Sequence, residues 1–233
     1  MTSLPGGPIA SRPLHFIWIL DTSGSMSGEK IQQLNFAISE SLPEMQKVAL
    51  SNENAQLLVR AVTFASGARW HVGAPTPVEQ FRWVDVAAGG VTDMGQALSL
   101  VADQLTMPPM PERALPPVLV LVSDGQPTDD FNSGLAALMA QPWGAKAVRI
   151  AIAIGQDADT EVLSRFMGSN SEMKPLLARD AASLVQYIRW ASTAVVKSAS
   201  APASGSGDDD GPQSGPAVPI PQPPVSDPVV DVW

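Results

Sequence analysis

Two stretches of this chain are apolar without interruption, Phe16-Ile17-Trp18-Ile19-Leu20 and Val118-Leu119-Val120-Leu121-Val122. A strand with one face on solvent alternates apolar and polar residues, so a continuous run of this length means a strand buried on both faces. That environment exists at the centre of a sheet with helices packed above and below it. Both runs are therefore read as central strands.

Around them, short apolar segments alternate with segments of helical period. Strands are predicted over His15 to Leu20, Leu57 to Phe64, Val118 to Val122 and Val148 to Ile154, and a short strand near Lys174 to Leu177 is predicted to close one edge. The residues Arg69 to Val72, followed by Pro75, Pro77 and the run Phe81 to Val86, suit a short edge strand or hairpin, because proline cannot donate to an interior ladder. Helices are predicted over Lys30 to Leu50, Met94 to Leu105, Phe131 to Met139, Thr160 to Met167 and Ala182 to Val196, the first of them kinked or split at Pro43. The expected fold is α/β, a Rossmann-like three-layer domain with a mostly parallel sheet and one short antiparallel edge strand.

The predicted domain runs from Pro13 to Lys197. From Ser198 onward the chain is rich in Ser, Ala, Gly and Pro, a composition that buries too little apolar surface to offset the entropy of ordering. Residues 198–233 are thus expected to form a tail, within which Pro219 to Pro224 reads as extended polyproline and Val229 to Trp233 either as a docking peptide or as a terminus that folds back on its own domain or stays free. The tail contains five acids and no base after Lys197, and so holds more than half of the net charge of −9. An acidic chain is a poor partner for nucleic acid. With no cysteine, disulfides and thiolate chemistry are excluded. The absence of a basic leader before Pro13, together with the shortness of the run Phe16 to Leu20, predicts a cytoplasmic protein with no membrane span.

The candidate chemistry lies where strands end. Directly after the first central run comes Asp21-Thr22-Ser23-Gly24-Ser25-Met26, which places a carboxylate and the Ser23 and Ser25 hydroxyls on one tight turn. Directly after the second comes Ser123-Asp124-Gly125-Gln126-Pro127-Thr128-Asp129, again with a carboxylate at a strand's carboxyl end and a glycine that lets the chain turn. In a doubly wound sheet, ligands bind in the crevice at such ends, so Asp21 and Asp124 are expected to meet there. A third loop, Gly89-Gly90-Val91-Thr92-Asp93-Met94-Gly95, brings the Thr92 hydroxyl. Short oxygen donors on backbone turns select a hard cation, Mg2+ first with Mn2+ or Ca2+ possible. With hydroxyls bound directly and the carboxylates partly behind them, the ion keeps much of its charge, and an outside Asp or Glu carboxylate can complete its shell.

These three motifs, in this order, resemble the metal-ion-dependent adhesion site of von Willebrand factor A (VWA) and integrin inserted domains. The resemblance spans roughly Pro13 to Lys197, and the matching positions are Asp21, Ser23, Ser25, Thr92 and Asp124. The stretches Leu20 to Glu29 and Val122 to Asp129 look most similar to bacterial, intracellular VWA proteins of the tellurium-resistance (TerY-like) type. That similarity implies a protein partner, a kinase or phosphatase, in a stress-response or defence system; related VWA domains also serve as substrate adaptors of AAA+ ATPases.

Other readings fit less well. Gly24 to Gly28 lacks phosphate-loop spacing, no dinucleotide fingerprint or Gly-x-Ser-x-Gly elbow occurs, and only His15 and His71 could act as imidazole bases. The expectation is a binding module and not an enzyme, with a metal-dependent phosphohydrolase and a scaffold working through its tail as the competing classes. Asp93, Asp129 and Asp130 are read as helix starts and caps, the latter two for the helix at Phe131. The tryptophans are read as packing residues.

Overall fold

The two uninterrupted runs lie side by side in the middle of a six-stranded sheet of order β3-β2-β1-β4-β5-β6. The strands are β1 (Arg12–Asp21), β2 (Ala55–Ala65), β3 (Gly67–Pro77), β4 (Val118–Ser123), β5 (Val148–Ile154) and β6 (Leu176–Ala178). This computed structural model describes residues 11–155, 158–168, 173–201 and 218–225. Every neighbouring pair is parallel except β2 and β3.

Strand alternation divides the core into two halves. Leu14, Phe16, Trp18 and Leu20 of β1, with Val118, Val120 and Val122 of β4, face the helices α1 (Glu29–Leu50) and α6 (Ala181–Trp190). Ile17 and Ile19, with Leu119 and Leu121, face α2 (Met94–Ala102), α3 (Phe131–Ala140) and α5 (Thr160–Met167). All of these strand residues are buried to within 1%. That is the physical meaning of an apolar run without alternation.

The elements depart from expectation in several places. Helix α1 runs through Pro43 as one element, unsplit. The carbonyl that Pro43 leaves unbonded belongs to Ser39, which is exposed, so water can take the place of the missing donor. The antiparallel edge strand is eleven residues long, not short, and its register against β2 shifts around Ala61. It accommodates Pro75 and Pro77 because an edge strand has one unpaired side. The run Phe81 to Val86 forms no strand. It is pinned to α1 by Asn35, whose Oδ1 accepts from Trp83 Nε1 at 3.1 Å and from Val86 N at 3.0 Å, while Nδ2 donates to Val86 O at 2.9 Å. Helix α2 stops at Ala102, and a short helix α4 (Pro142–Lys146) follows α3. The last helix continues from α6 through a π turn (Ala191–Val195) into α7 (Val196–Ser200), three residues beyond Lys197. Residues 202–217 and 226–233 lie outside the described residues, and with them the docking peptide expected at Val229 to Trp233. Among the described residues no helix is long and apolar enough to cross a membrane.

His15 is 4% exposed, on the same face of β1 as Ile17, and its Nδ1 has no hydrogen-bond partner. Burial, helped by the nearby Arg60 guanidinium, lowers its pKa from 6.5 to about 4. Folded and unfolded chains are both neutral here above pH 6.5, so stability is then undiminished. Between pH 6.5 and 4 the unfolded chain takes up a proton that the fold refuses, and stability falls by about 3 kcal/mol across that window. Urea unfolding of the native chain and of His15→Leu at pH 7 and pH 4.5 should show the smaller acid loss in the variant. Equal losses would refute the assignment.

Candidate metal centre

Parallel pairing of β1 and β4, with Leu20 opposite Val122, brings the ends of the two central strands to the same level. Asp21, the next residue of β1, and Ser123, the last of β4, then share one face of the sheet. Ser123 Oγ donates to Asp21 Oδ2 at 2.6 Å. Ser23 N donates to Asp21 Oδ1 at 2.8 Å. Asp21 is fully buried, and both of its oxygens are oriented by these two donors. Ser123 Oγ in turn accepts from Gly125 N at 2.8 Å, which shapes the turn that carries Asp124. Gly125 sits at φ +78°, and a Cβ there would lie 2.6 Å from Asp159 O, so both conformation and space demand glycine.

The hydroxyls of Ser23 and Ser25 lie 2.9 Å apart at the mouth of the crevice, Ser23 buried and Ser25 exposed. Thr22 takes no part. Its Oγ1 and N both donate to Phe64 O, fastening the turn to β2. The third loop is stitched to this turn by Gly89 N to Thr22 O at 2.8 Å and Gly24 N to Gly90 O at 3.0 Å. It is tied to the second by Thr92 N to Thr128 Oγ1 and Thr128 N to Thr92 O, both 2.9 Å. All three expected loops thus meet, and Thr92, 7% exposed, stands between the other two.

Several residues of the site carry roles that the sequence reading missed. Ser123 stands in the sequence as one member of the second loop motif, and period-two alternation from Leu119 and Leu121 places it on the Asp21 face. Asp129 does not cap α3. Its carboxylate accepts from Gly95 N at 2.9 Å and Gln96 N at 2.8 Å, capping α2, while Asp130 caps α3 through Ser133 N at 3.0 Å. Asp93 precedes α2 without capping it; it accepts from Gly67 N at 2.7 Å, Gln96 Nε2 at 3.0 Å and Thr128 Oγ1 at 3.3 Å, joining the start of β3 to two of the site loops. Neither sequence spacing nor propensity distinguishes which of three neighbouring aspartates reaches which helix.

The electrostatics of the crevice are unbalanced. Burial raises the Asp21 pKa, hydrogen bonds from Ser123 and Ser23 oppose that rise, and the neighbouring Asp124 charge adds to it. Asp124 is 8% exposed and its Oδ1 is buried without a hydrogen-bond partner. Among the described residues the one ion pair is Arg189 with Glu44 at 3.5 Å, on helices remote from this crevice, so no basic side chain neutralises the two carboxylates. Two buried like charges with an orphaned oxygen, beside paired hydroxyls, fit a small divalent cation bound by oxygen. Among the described residues no group of three or more His, Cys, Asp or Glu gathers in a metal-binding cluster, so a cation here rests on hydroxyls as much as on carboxylates.

The family model of the von Willebrand factor type A domain matches residues 17–189. Similar solved structures include an ArnB paralog, VWA2, from Sulfolobus acidocaldarius, at 16% identity and TM-score 0.56, covering 76% of this chain and 44% of that one. A von Willebrand factor type A protein from Catenulispora acidiphila is 16% identical at TM-score 0.55, covering 78% and 42%. The pilus adhesin SpaC from Lactobacillus rhamnosus GG is 13% identical at TM-score 0.59, covering 78% and 30%. At these identities the likeness is one of fold, and the chain spans less than half the length of each of these neighbours. No curated protein matches by sequence.

Proposed function

Because the chain belongs to the von Willebrand factor type A domain family, we propose that it is a magnesium-dependent protein-interaction module whose crevice grips an Asp or Glu carboxylate of a partner protein. The observation that carries this reading is the uncompensated pair Asp21 and Asp124 beside the hydroxyls of Ser23 and Ser25. Asp21, Ser23, Ser25, Thr92 and Asp124 would hold the ion, with Mn2+ or Ca2+ as possible substitutes. Once bound, the ion supplies an exposed positive point for an incoming carboxylate.

The chain's own residues supply the rest. Ser123 and the Ser23 amide fix the Asp21 carboxylate in one orientation, so little ordering remains to be done on binding. Gly24 and Ser25 are exposed at the mouth, leaving the approach open. The exposed Asp130 and the net charge of −9 would repel an acidic partner in the absence of the ion, which makes recognition conditional on it.

In this reading the protein works in a bacterial cytoplasm. By its similarity to tellurium-resistance (TerY-like) proteins, its partner is a kinase or phosphatase of a stress or defence system. It binds neither nucleic acid nor membrane. It is not an enzyme, because a hydrolase needs a base beside the reacting atoms. His15 lies six strand residues before Asp21, about 20 Å away at the spacing of a β-strand, and His71 Nε2 bonds Val84 O on the edge of the sheet.

Affinity capture from bacterial lysate tests the proposal, with the full chain and a Ser23→Ala/Ser25→Ala chain as baits, each in magnesium and in EDTA. A partner retained by the native bait in magnesium, and reduced at least ~10-fold in the other three arms, is the expected result, since tenfold corresponds to about 1.4 kcal/mol. Equal retention in all four arms would eliminate the carboxylate-gripping mechanism.

A further inference from the structure

The proline-rich stretch Val218-Pro219-Ile220-Pro221-Gln222-Pro223-Pro224-Val225 lies against the domain. Val218 and Ile220 pack on the core half that faces α1 and α6, and Ser198 Oγ of α7 donates to Pro219 O. Burial along the stretch repeats every third residue. Pro219, Gln222 and Val225 are exposed, and the residues between them are half-buried. A strand would expose every second residue and an α-helix would follow a period of 3.6, whereas a polyproline II helix has three residues per turn. One row of such a helix therefore faces water and the other two face the protein.

We propose that the surface beside α7 is a groove for a polyproline II peptide, occupied in cis by residues 218–224 of the same chain, with Val218 and Ile220 as anchors and Ser198 reading the Pro219 carbonyl. The chemistry is that of proline-rich recognition in general: the ligand is already extended, so it loses little entropy on docking, and a carbonyl that has no partner within the polyproline helix meets a side-chain donor. Covalent connection to α7 supplies an effective concentration on the order of millimolar, so an interaction too weak to hold in trans persists in cis. A proline-rich segment of a partner with apolar side chains at the same two positions is the kind of ligand that can displace it. This groove is separate from the crevice at the ends of β1 and β4, and its occupancy does not depend on a metal.

The test uses the full-length chain and a fluorescent peptide of the sequence Val218 to Val225, followed by anisotropy up to about 1 mM, where binding of this weak class is measurable. The native chain, with its groove filled, should bind the peptide at least ~10-fold more weakly than Val218→Asp/Ile220→Asp, by competition with the cis segment. Adding Ser198→Ala, which keeps a good helix former in α7, to the anchor variant should weaken its binding of the peptide. A control peptide with Asp at both anchor positions should bind none of them. The proposal is overturned if no chain binds the native peptide, if the native chain binds it as well as the anchor variant, or if the control peptide binds equally.

Discussion

In EDTA, Asp124→Asn should melt above the native chain, and in magnesium the order should reverse. Asp124 places a buried oxygen without a partner beside the buried Asp21 carboxylate, and its charge pushes the Asp21 proton affinity up. Among the described residues no cation answers either group, so removing one negative charge relieves a repulsion that the fold otherwise sustains. The gain should be about 1 to 2 kcal/mol, roughly 2–8 °C for a domain of this size. For the native chain, magnesium at a hundred times its dissociation constant should add about 2.7 kcal/mol, because an ion that binds only the folded state stabilises by mass action. The variant should show almost none of that gain. Thermal melts of both proteins in EDTA and in a magnesium series are sufficient, and a native chain whose melting temperature is indifferent to magnesium would remove the basis for a metal centre.

A metal site of the proposed kind would set function against stability, and that conflict also makes it legible. Continuous apolar runs tell where the sheet has to be central, and within two residues of each run's end comes a carboxylate that serves no packing purpose. Asp21 and Asp124 are expected to meet because strand order and parallel direction leave a crevice at those ends. The supporting layer was harder to read. Ser123, Thr128, Asp93 and Asp129 all act by reaching a neighbouring loop, and short polar side chains look the same in sequence whether they cap their own helix or another. The C-terminal part is hard to read for a related reason. Composition says that residues after Lys197 cannot build a core, yet Val218 and Ile220 need only a core that already exists.

Pro43 and the edge strand show the same limit at the level of single elements. Whether proline breaks a helix depends on where the freed carbonyl points, and the exposure of Ser39 is a tertiary fact. The length of β3 depends on shifts in register that let Pro75 and Pro77 sit on an unpaired edge. Local rules give the right tendency, and the surroundings decide the outcome.

Gly134→Ala should be among the most damaging single-methyl changes in this chain, although Gly134 belongs to none of the three site loops. Helices α2 and α3 cross so closely that a Cβ on Gly134 would lie 2.2 Å from Gly95 O, and one on Gly95 would lie 2.4 Å from Asp130 O. Both obstacles are backbone, so no rotamer change relieves them and the helices must part. Overpacking of this kind costs about 3 kcal/mol for alanine, and Gly134→Val should exceed about 4 kcal/mol and prevent folding at ordinary temperatures. Parting the helices also pulls Gly95 and Gln96 from the Asp129 carboxylate, which holds the start of α2 and, through it, the loop bearing Thr92. Magnesium affinity of Gly134→Ala should therefore fall together with its stability. Gly89→Ala is the control, for Gly89 lies in the site loop itself but has open space where a Cβ would go. It should change stability by less than about 0.5 kcal/mol and leave metal binding intact. Urea unfolding and calorimetric magnesium titration of the pair decide the matter: a neutral Gly134→Ala would mean that the helix crossing is not what positions the site, whereas the expected contrast would show that the proposed metal centre is held from behind by close-packed backbone.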